Sequence, residues 1–479
     1  MKLSELLNGI AILESNADLD TEIAEVRYDS RQVKEGDAFV AVCGFETDGH
    51  QYMEAAAANG AAVVICEKAP ECPCSFVRIE NTRRGLAVIG ANRFGNPAAA
   101  LKLIGVTGTN GKTTTTYLMK QILEDCGHKV GLIGTNQNLI GQEVLETERT
   151  TPESFELHRL FRTMADKGCD YVIMEVSSHS LVLDRVYGLR FAVGAFTNLT
   201  QDHLDFHKTM EAYAAAKAML FTICETGVVN LDDPAAPVML EAAACPVITY
   251  SAKQDAGDIV AKNIVLKSDG VRFAAVSKGE IARVRLGIPG EFSVYNALTA
   301  LGCAHALGIP LEQSAQALSE AAGVKGRVEV VPTDTDYTVL IDYAHSPDGV
   351  ENVLRAVKGY TQGRVIAVFG CGGDRDKTKR PKMGAIAARL ADYCVVTSDN
   401  PRTEDPAAIV ADILRGMEQA ACPVEAIVDR REAIYHAMDI AGQGDTVLLM
   451  GKGHETYQEV NHVKHHMDER EIVADYFQK

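Results

Sequence analysis

The sequence predicts an α/β protein of three domains, and three observations carry that prediction. Its 479 residues give room, at roughly 150 residues per domain, for about three hydrophobic cores. Short apolar runs bounded by Gly, Pro and Asn alternate with helical patterns along the chain, which is the rhythm of parallel sheets with helical crossovers. Hydrophobic residues make up 47% and charged residues 23%, with 40 Gly and 15 Pro, a balance that excludes long disordered or fibrous segments.

Residues 1–98 read as a small N-terminal α/β domain. The opening MKLSELLNGIAILESNADLD reads as a short amphipathic helix, because Glu5, Asn8 and Glu14 interrupt its apolar residues before a signal-peptide core could form. Ala38 to Val42, Ala61 to Cys66 and Phe76 to Ile79 read as strands and Tyr52 to Asn59 as a helix, with a boundary near Asn96-Pro97. Residues 99–328 form the central domain. A strand at Leu101 to Val106 runs straight into a Gly/Thr loop and the helical pattern Thr113 to Asp125, and Tyr171 to Val176 and Val193 to Thr197 read as further buried strands of a parallel-rich sheet. Residues 329–479 form a C-terminal, Rossmann-like domain. Its strands, Thr338 to Asp342, Val365 to Phe369, Tyr393 to Thr397 and Thr446 to Met450, each lead into a polar or glycine-rich loop. Ligands of open parallel sheets bind beyond the carboxyl ends of strands, so these loops are where chemistry is expected.

Charge and cysteine usage narrow the class of partner. Lys plus Arg number 47 against 65 Asp plus Glu, a net charge of −18, and such a surface repels phosphate backbones, which excludes nucleic acid as a general partner. An anionic small substrate needs local Arg, Lys or helix N-termini to overcome that field. Apolar runs fall short of the ~18 residues that span a bilayer, so no membrane insertion is expected. The twelve Cys form no CxxC pair, which suits a reducing cytoplasm, and Cys72-Pro73-Cys74 reads as two ordinary loop thiols. A monomer is expected.

The central loop Ile104-Gly-Val-Thr-Gly-Thr-Asn-Gly-Lys-Thr-Thr-Thr115 sets strand, glycine turn, lysine and hydroxyl in the order that cradles nucleotide phosphates. Gly108 and Gly111 turn backbone N–H groups inward around Thr109 and Asn110, Lys112 reaches the terminal phosphates, and Thr113 and Thr114 start the helix, with the Thr113 hydroxyl suited to Mg²⁺. A strict P-loop has glycine where Val106 stands, so the motif is a variant of a P-loop-type ATPase domain. Glu175 ends a buried strand, either as a second Mg²⁺ ligand or as a solvated strand-end carboxylate. Thr197 to His207 places His203, His207, Asp202 and Asp205 within eleven residues, a pattern open to metal binding or to local hydrogen bonding.

TGTNGKTTT, EVSSHSL and NLTQDHLDFH, in this order and spacing, resemble the ATP-dependent Mur ligases of peptidoglycan synthesis. Asp29-Ser30-Arg31, Tyr295-Asn296-Ala-Leu, Gly326-Arg327, Asp342-Tyr-Ala-His345, Gly372-Gly-Asp-Arg375 and Gly451-Lys-Gly-His-Glu455 extend the resemblance over the whole chain. It implies that a D-glutamate γ-carboxylate attacks the ATP γ-phosphate and that an amine then displaces phosphate from the acyl phosphate. It further implies that Lys112, Lys217 and His203 are catalytic, that Thr113, Glu175, His203 and Lys217 hold Mg²⁺, and that Lys217 is carbamylated (N6-carboxylysine). On the residues alone, Lys217 would be a lysine on a helix surface. Asn296, Arg327, Asp342 and His345 correspond to nucleotide contacts, His345 otherwise reading as a loop cap. Ser30, Thr150, Thr151, Ser177 and Arg185 correspond to positions that hold UDP-N-acetylmuramoyl-L-alanyl-D-glutamate.

The loop Ser398-Asp399-Asn400-Pro401-Arg402 resembles that of the members adding meso-diaminopimelate. Diaminopimelate carries one carboxylate more than lysine, and a planar guanidinium binds it bidentately. Arg375, Gly451 and Glu455 complete the implied pocket, with Arg375 for a carboxylate and Glu455 for an ammonium group. Asp399 and Glu404 could instead be helix caps. A lysine-adding relative, a folylpolyglutamate synthase and a nucleotide-dependent switch are the rival readings. The C-terminal His462, His465 and His466 read as an exposed turn.

Overall fold

Alternate residues of the first strands face opposite ways, and both faces are covered. The computed structural model describes residues 1–44, 47–145, 149–267, 269–321 and 323–478, and of Asp205 the backbone alone. The first sheet has strands β1 (Ile12–Ser15), β2 (Val26–Arg27), β3 (Ala38–Val40), β4 (Val63–Cys66) and β5 (Phe76–Ile79), in the order β1-β5-β4-β3-β2. Ala38, Val40, Val63, Ile65 and Val77 turn to one core with Leu86 and Ile89 of the helix Thr82–Phe94, while Phe39, Val64 and Cys66 turn to another with Met53 and Ala56. A period of two is what a strand imposes. The expected N-terminal helix is cut to Leu3–Leu6, because Gly9 takes φ +83° and turns the chain into β1, an edge strand antiparallel to β5.

The second sheet holds β6 (Lys102–Thr107), β7 (Val130–Ile133), β8 (Asn138–Ile140), β9 (Glu143–Leu145), β10 (Tyr171–Glu175), β11 (Phe191–Phe196), β12 (Cys224–Asn230) and β13 (Val247–Ser251). Their order is β13-β12-β11-β6-β10-β7-β8-β9. β6 is parallel to β10 on one side and β11 on the other. From β6 the chain runs to β7 on one flank and later reaches β11 on the opposite flank, so the loops after β6, β10 and β11 meet at a switch point of the kind that binds ligands. Both sheets, up to Thr249, lie in the first of two compact units, Met1–Thr249; the second is Tyr250–Lys479.

Within the second unit, Tyr250 and Ser251 pair in parallel with Ile259 and Val260 of β14 (Ile259–Lys267), which continues antiparallel into β15 (Gly270–Ser277) and β16 (Glu280–Leu286). The helix Glu291–Ala306 follows. A further sheet comprises β17 (Glu329–Val331), β18 (Thr338–Asp342), β19 (Val365–Phe369), β20 (Tyr393–Val396), β21 (Val424–Ala426) and β22 (Thr446–Met450), ordered β17-β18-β22-β19-β20-β21. All its pairings except β17–β18 are parallel. Leu448 and Met450 face Leu354, Met383 and Ile413 on one side, and Val447 and Leu449 face Ile434 and Ile472 on the other. Helices on both faces make it doubly wound and Rossmann-like. The last strands, β23 (Tyr457–Val460) and β24 (Val463–His466), form a hairpin. Of the expected histidine turn only His462 lies in a turn, which it forms with the preceding Asn461 at φ +64° and +48°. His465 and His466 lie on β24, where pairing with β23 extends the strand past the turn.

Candidate active site

The phosphate-type loop is built by glycine geometry and tied down by its neighbour strand. Gly108 has φ +149°, and a Cβ there would stand 1.9 Å from Thr197 Oγ1; Gly111 at φ +85° caps the helix Lys112–Asp125. The Thr109 amide donates to Asn198 O at 2.8 Å, the Asn110 amide to Asn198 Oδ1 at 2.9 Å, and Thr197 Oγ1 to Asn110 O at 2.6 Å. Lys112 Nζ donates to the carbonyls of Gly108 and Thr109 at 2.9 and 2.8 Å. The helix behind presents its N-terminal N–H groups and positive dipole end at this loop, an anion-binding arrangement, with Thr113 and Thr114 both buried.

Glu175, 1% exposed, is fully engaged. Its Oε1 accepts from Thr113 Oγ1 and the Thr135 amide, both at 2.9 Å, and its Oε2 from Thr135 Oγ1 at 3.0 Å. A Cβ on Gly134 would come within 2.5 Å of Oε1, so a glycine there is what lets the carboxylate approach this turn. The solvated strand-end reading of Glu175 is thereby corrected: the β10 ladder carries it inside. Lys217 is also buried, at 1% exposure, with its Nζ 4.3 Å from the ring centre of Tyr213, whose hydroxyl lies 3.2 Å from Thr109 Oγ1. Burial, then the neighbouring charge of Lys112, pushes its amine well below the usual lysine range. His203 takes φ +53° and places its ring 4.9 Å from His179, while His207 Nε2 lies 2.8 Å from Ser178 Oγ. Asp205, the remaining acid of that segment, lies outside the described side chains.

A cavity of about 450 Å³ opens beside this cluster, lined by Thr135, Arg149, Thr150, Thr151, Ser177, His179, Arg185 and His203. It brings four of the five residues expected at the UDP-sugar dipeptide into one wall. Thr151 Oγ1 donates to Glu175 O at 2.7 Å, Ser177 Oγ caps the helix Ser178–Val182, and Arg185 Nη1 donates to Thr151 O at 3.0 Å. Ser30 is not among the lining residues; it starts a single 3₁₀ turn and its carbonyl accepts from Asn59 Nδ2. The sequence reading missed Glu153, which gathers Arg149 and Arg185 at 2.9 Å and Arg83 at 3.5 Å. Of the three guanidiniums that converge on this carboxylate, those of Arg149 and Arg185 also line the cavity.

In the second unit, Arg327, Asp342 and His345 assemble around Tyr343. The Arg327 guanidinium lies 5.2 Å from that ring, and His345 Nδ1 is 2.8 Å from Tyr343 O. Asp342 accepts from the amides of Val328 at 2.9 Å and Ala344 at 2.8 Å, and burial pushes its carboxyl up. Asn296 is buried within the helix Glu291–Ala306.

The loops after β19, β20 and β22 form a second polar cluster. Asn400, 3% exposed, donates from Nδ2 to Glu455 Oε2 at 2.8 Å and accepts from Lys452 Nζ at 3.0 Å and the Glu459 amide at 2.9 Å. Lys452 Nζ also reaches Glu455 Oε2 at 3.0 Å; this fully buried lysine sits inside the Gly451-to-Glu455 motif, yet sequence reasoning gave it no role. Arg402, at φ +50°, donates from Nη1 to Gly373 O at 2.7 Å and from Nε to Glu459 Oε2 at 3.2 Å. Arg375 is exposed, with Nη1 on the Asp374 carbonyl. Neither Asp399 nor Glu404 caps a helix. Asp399 Oδ1 accepts from the next amide, Glu404 pairs with the buried Arg380 at 2.8 Å, and Asp405 caps the helix Pro406–Leu414. Arg380, then Lys377, holds the Glu404 carboxyl down at about 2.

Three family models match in chain order: the Mur ligase family catalytic domain over residues 22–97, the Mur ligase middle domain over 106–304, and the Mur ligase glutamate ligase domain over 326–453. The chain belongs to the Mur ligase family. It is similar to the UDP-N-acetylmuramoyl-L-alanyl-D-glutamate--2,6-diaminopimelate ligase of Clostridium botulinum, with 48% identity over 95% of both chains, and to that of Caldanaerobacter subterraneus, with 48% identity over 99% and 98%. A solved structure of a ligase of the same name covers 100% of this chain and 99% of its own, with TM-score 0.73 and 33% identity. A Mycobacterium tuberculosis folylpolyglutamate synthase shares the fold over 77% of this chain, with TM-score 0.62 and 18% identity.

Proposed function

We infer that the protein is an ATP-dependent ligase that joins meso-2,6-diaminopimelate to the D-glutamate of UDP-N-acetylmuramoyl-L-alanyl-D-glutamate, in the cytoplasmic assembly of peptidoglycan precursors. The full-length likeness to ligases of that name supports the reaction. One observation carries the choice of amino acid: Arg402 is held at Gly373 O and Glu459, with Asn400 and Glu455 joined in the same loop cluster. That set offers a guanidinium to a distal carboxylate and a carboxylate to an ammonium group. Among the described residues no helix is long and apolar enough to cross a membrane. We also propose three domains, 1–98, 99–328 and 329–479, and a monomer.

In the proposed reaction the glutamate γ-carboxylate attacks the γ-phosphorus of ATP, ADP leaves, and the diaminopimelate amine attacks the acyl carbon and expels phosphate. Lys112, released from the loop carbonyls, and the helix-start N–H groups of Gly111 to Thr114 hold the phosphates, in the turn that Gly108, Thr109 and Asn110 shape. Asn296, Arg327, Asp342 and His345 serve the nucleoside end. Ser30, Thr150, Thr151, Ser177 and Arg185 place the UDP-sugar dipeptide. Arg375, Asp399, Asn400, Pro401, Arg402, Gly451 and Glu455 receive the amino acid. Positioning and charge neutralisation are most of what such a phosphoryl transfer requires.

The hard oxygens of Thr113 and Glu175, in mutual contact and buried, fit Mg²⁺, with His203 and Lys217 as further holders. Mg²⁺ would supply neutralisation of phosphate charge there. Lys217 fits carbamylation: burial favours its neutral amine, which can add to the carbon of CO₂ and, on losing a proton, become a carboxylate-like group. The test is phosphate release from ATP. It should need both the UDP-sugar dipeptide and an amino acid; release with ATP alone at the full rate contradicts the reading and matches a nucleotide switch.

A further inference from the structure

We propose that Arg430, held by Glu469, is a positioning residue that fixes the loop after β20 against the loop after β22. The proposal rests on the amino-acid site assigned above. β20 and β22 are not neighbours, because β19 lies between them. Ladder hydrogen bonds register each strand to β19 and neither to the other. Arg430 ties the two strand ends directly, behind the Asn400 contacts with Lys452 and Glu455. Its Nη1 donates to Ser398 O at 3.0 Å and its Nη2 to Met450 O at 2.8 Å, the last carbonyls before Asp399 and Gly451. Its Nε donates to Glu469 Oε1 at 2.9 Å, and that carboxylate also pairs with Nη2 at 2.7 Å; both side chains are 0% exposed.

Two further features show how little slack the tie leaves. Gly451 takes φ +113°, and a Cβ there would stand 2.4 Å from Asp399 Oδ2; a Cβ on Gly370, at the end of the intervening β19, would stand 2.4 Å from Thr397 O. Stability alone does not explain the pair, since well-packed apolar residues often replace a buried ion pair at no cost. A guanidinium spreads five donors over three nitrogens of one rigid plane, so it reaches the carboxylate and the two carbonyls in fixed directions, which the single nitrogen of a lysine does not match. The Asn400–Glu455 contact spans the same two loops, so a shift of one loop against the other would separate the groups that meet the amino acid.

Arg430→Lys and Glu469→Gln test this. We expect the KM for meso-diaminopimelate to rise roughly 10-fold or more, the loss of about one charge-assisted hydrogen bond in placement, while the KM values for ATP and the UDP-sugar dipeptide stay within about two-fold. Hydrogen exchange should quicken at Asp399–Arg402 and Gly451–Glu455 and not in the remaining loops. An unchanged diaminopimelate KM, an equal rise for all three substrates, or failure of both variants to fold overturns the proposal and makes the pair purely structural. If the wild type ligates no amino acid, the ligase reading fails instead, and the exchange measurement alone decides whether the tie exists.

Discussion

Replacing Arg402 by Ala isolates the feature that separates diaminopimelate from lysine. The side chain is one-fifth exposed, its Nη1 bound to Gly373 O and its Nε to Glu459. Nη2 makes no hydrogen bond among the described residues and is the donor left for a substrate carboxylate. Folding should weaken modestly, by about 0.5–1.5 kcal/mol for the lost hydrogen bond to Gly373 O. Both residues meet the same strain at φ +50°, and a partly exposed ion pair such as that with Glu459 is typically worth about 0.2–1 kcal/mol. The substrate contact is larger, because a charge-assisted pair shielded from water contributes about 1.5–3 kcal/mol, or roughly a 10- to 150-fold loss in kcat/KM. Lysine, lacking the carboxylate, should lose little. The assay is kcat/KM for both amino acids in wild type, Arg402→Ala and Arg402→Lys, the last keeping charge without the fork and recovering part of the loss. An unchanged ratio of diaminopimelate to lysine in Arg402→Ala would mean that Arg402 does not meet the distal carboxylate and that the loop is structural.

Three further outcomes follow from the geometry. Lys217→Ala should fold yet lose most ligation, with partial recovery on adding short-chain carboxylic acids; wild-type rates in the variant would remove the carbamate from the scheme. Gly108→Ala, whose Cβ would lie 1.9 Å from Thr197 Oγ1, should destabilise by roughly 1–3 kcal/mol and abolish nucleotide protection against heat; retained protection would show that the loop tolerates the shift. His158 is held down at about 4 by burial, so the folded protein keeps it neutral while the unfolded chain, near 6.5, takes up a proton. Its contribution is complete above pH 6.5 and is lost as pH falls from 6.5 to 4, at about 1.4 kcal/mol per unit and about 3 kcal/mol in all. Denaturant midpoints of His158→Leu across that range should show an acid limb shallower by one proton, and an identical limb would place the titration elsewhere.

Strands that are buried on both faces were legible because their apolar runs are unbroken. Val365–Phe369 and Thr446–Met450 stand where the run lengths place them. β14 to β16 went unread, since Lys262, Lys267, Arg272, Arg283 and Arg285 break their apolar runs with outward-facing charges. β1 was hidden because four residues on an edge carry too little pattern to compete with the helical spacing before them. In the candidate site, the phosphate-type loop was legible because all its parts lie within one strand-to-helix turn. Glu175 was found, but not Thr135, whose amide and hydroxyl hold it from another strand's end. Three arginines converge on Glu153 from positions 83, 149 and 185, a juxtaposition that only the fold creates. From its residues alone Lys217 reads as a surface lysine, yet it lies at 1% exposure; the alanines on either side of it are the available sign of a buried helix face. Arg430 and Glu469, 39 residues apart in sequence, carried no local sign at all.

On the function proposed here, this chain uses ATP to attach meso-diaminopimelate to the UDP-muramoyl dipeptide. A single competition measures it most directly: enzyme, ATP, Mg²⁺ and UDP-N-acetylmuramoyl-L-alanyl-D-glutamate with equal concentrations of meso-diaminopimelate and L-lysine, the product read by mass spectrometry. The predicted product is heavier than the dipeptide substrate by one diaminopimelate less one water, formed in step with ADP and dominant over any lysine adduct. A product carrying lysine in equal or greater amount, or ADP formed with no mass added to the dipeptide, would contradict it.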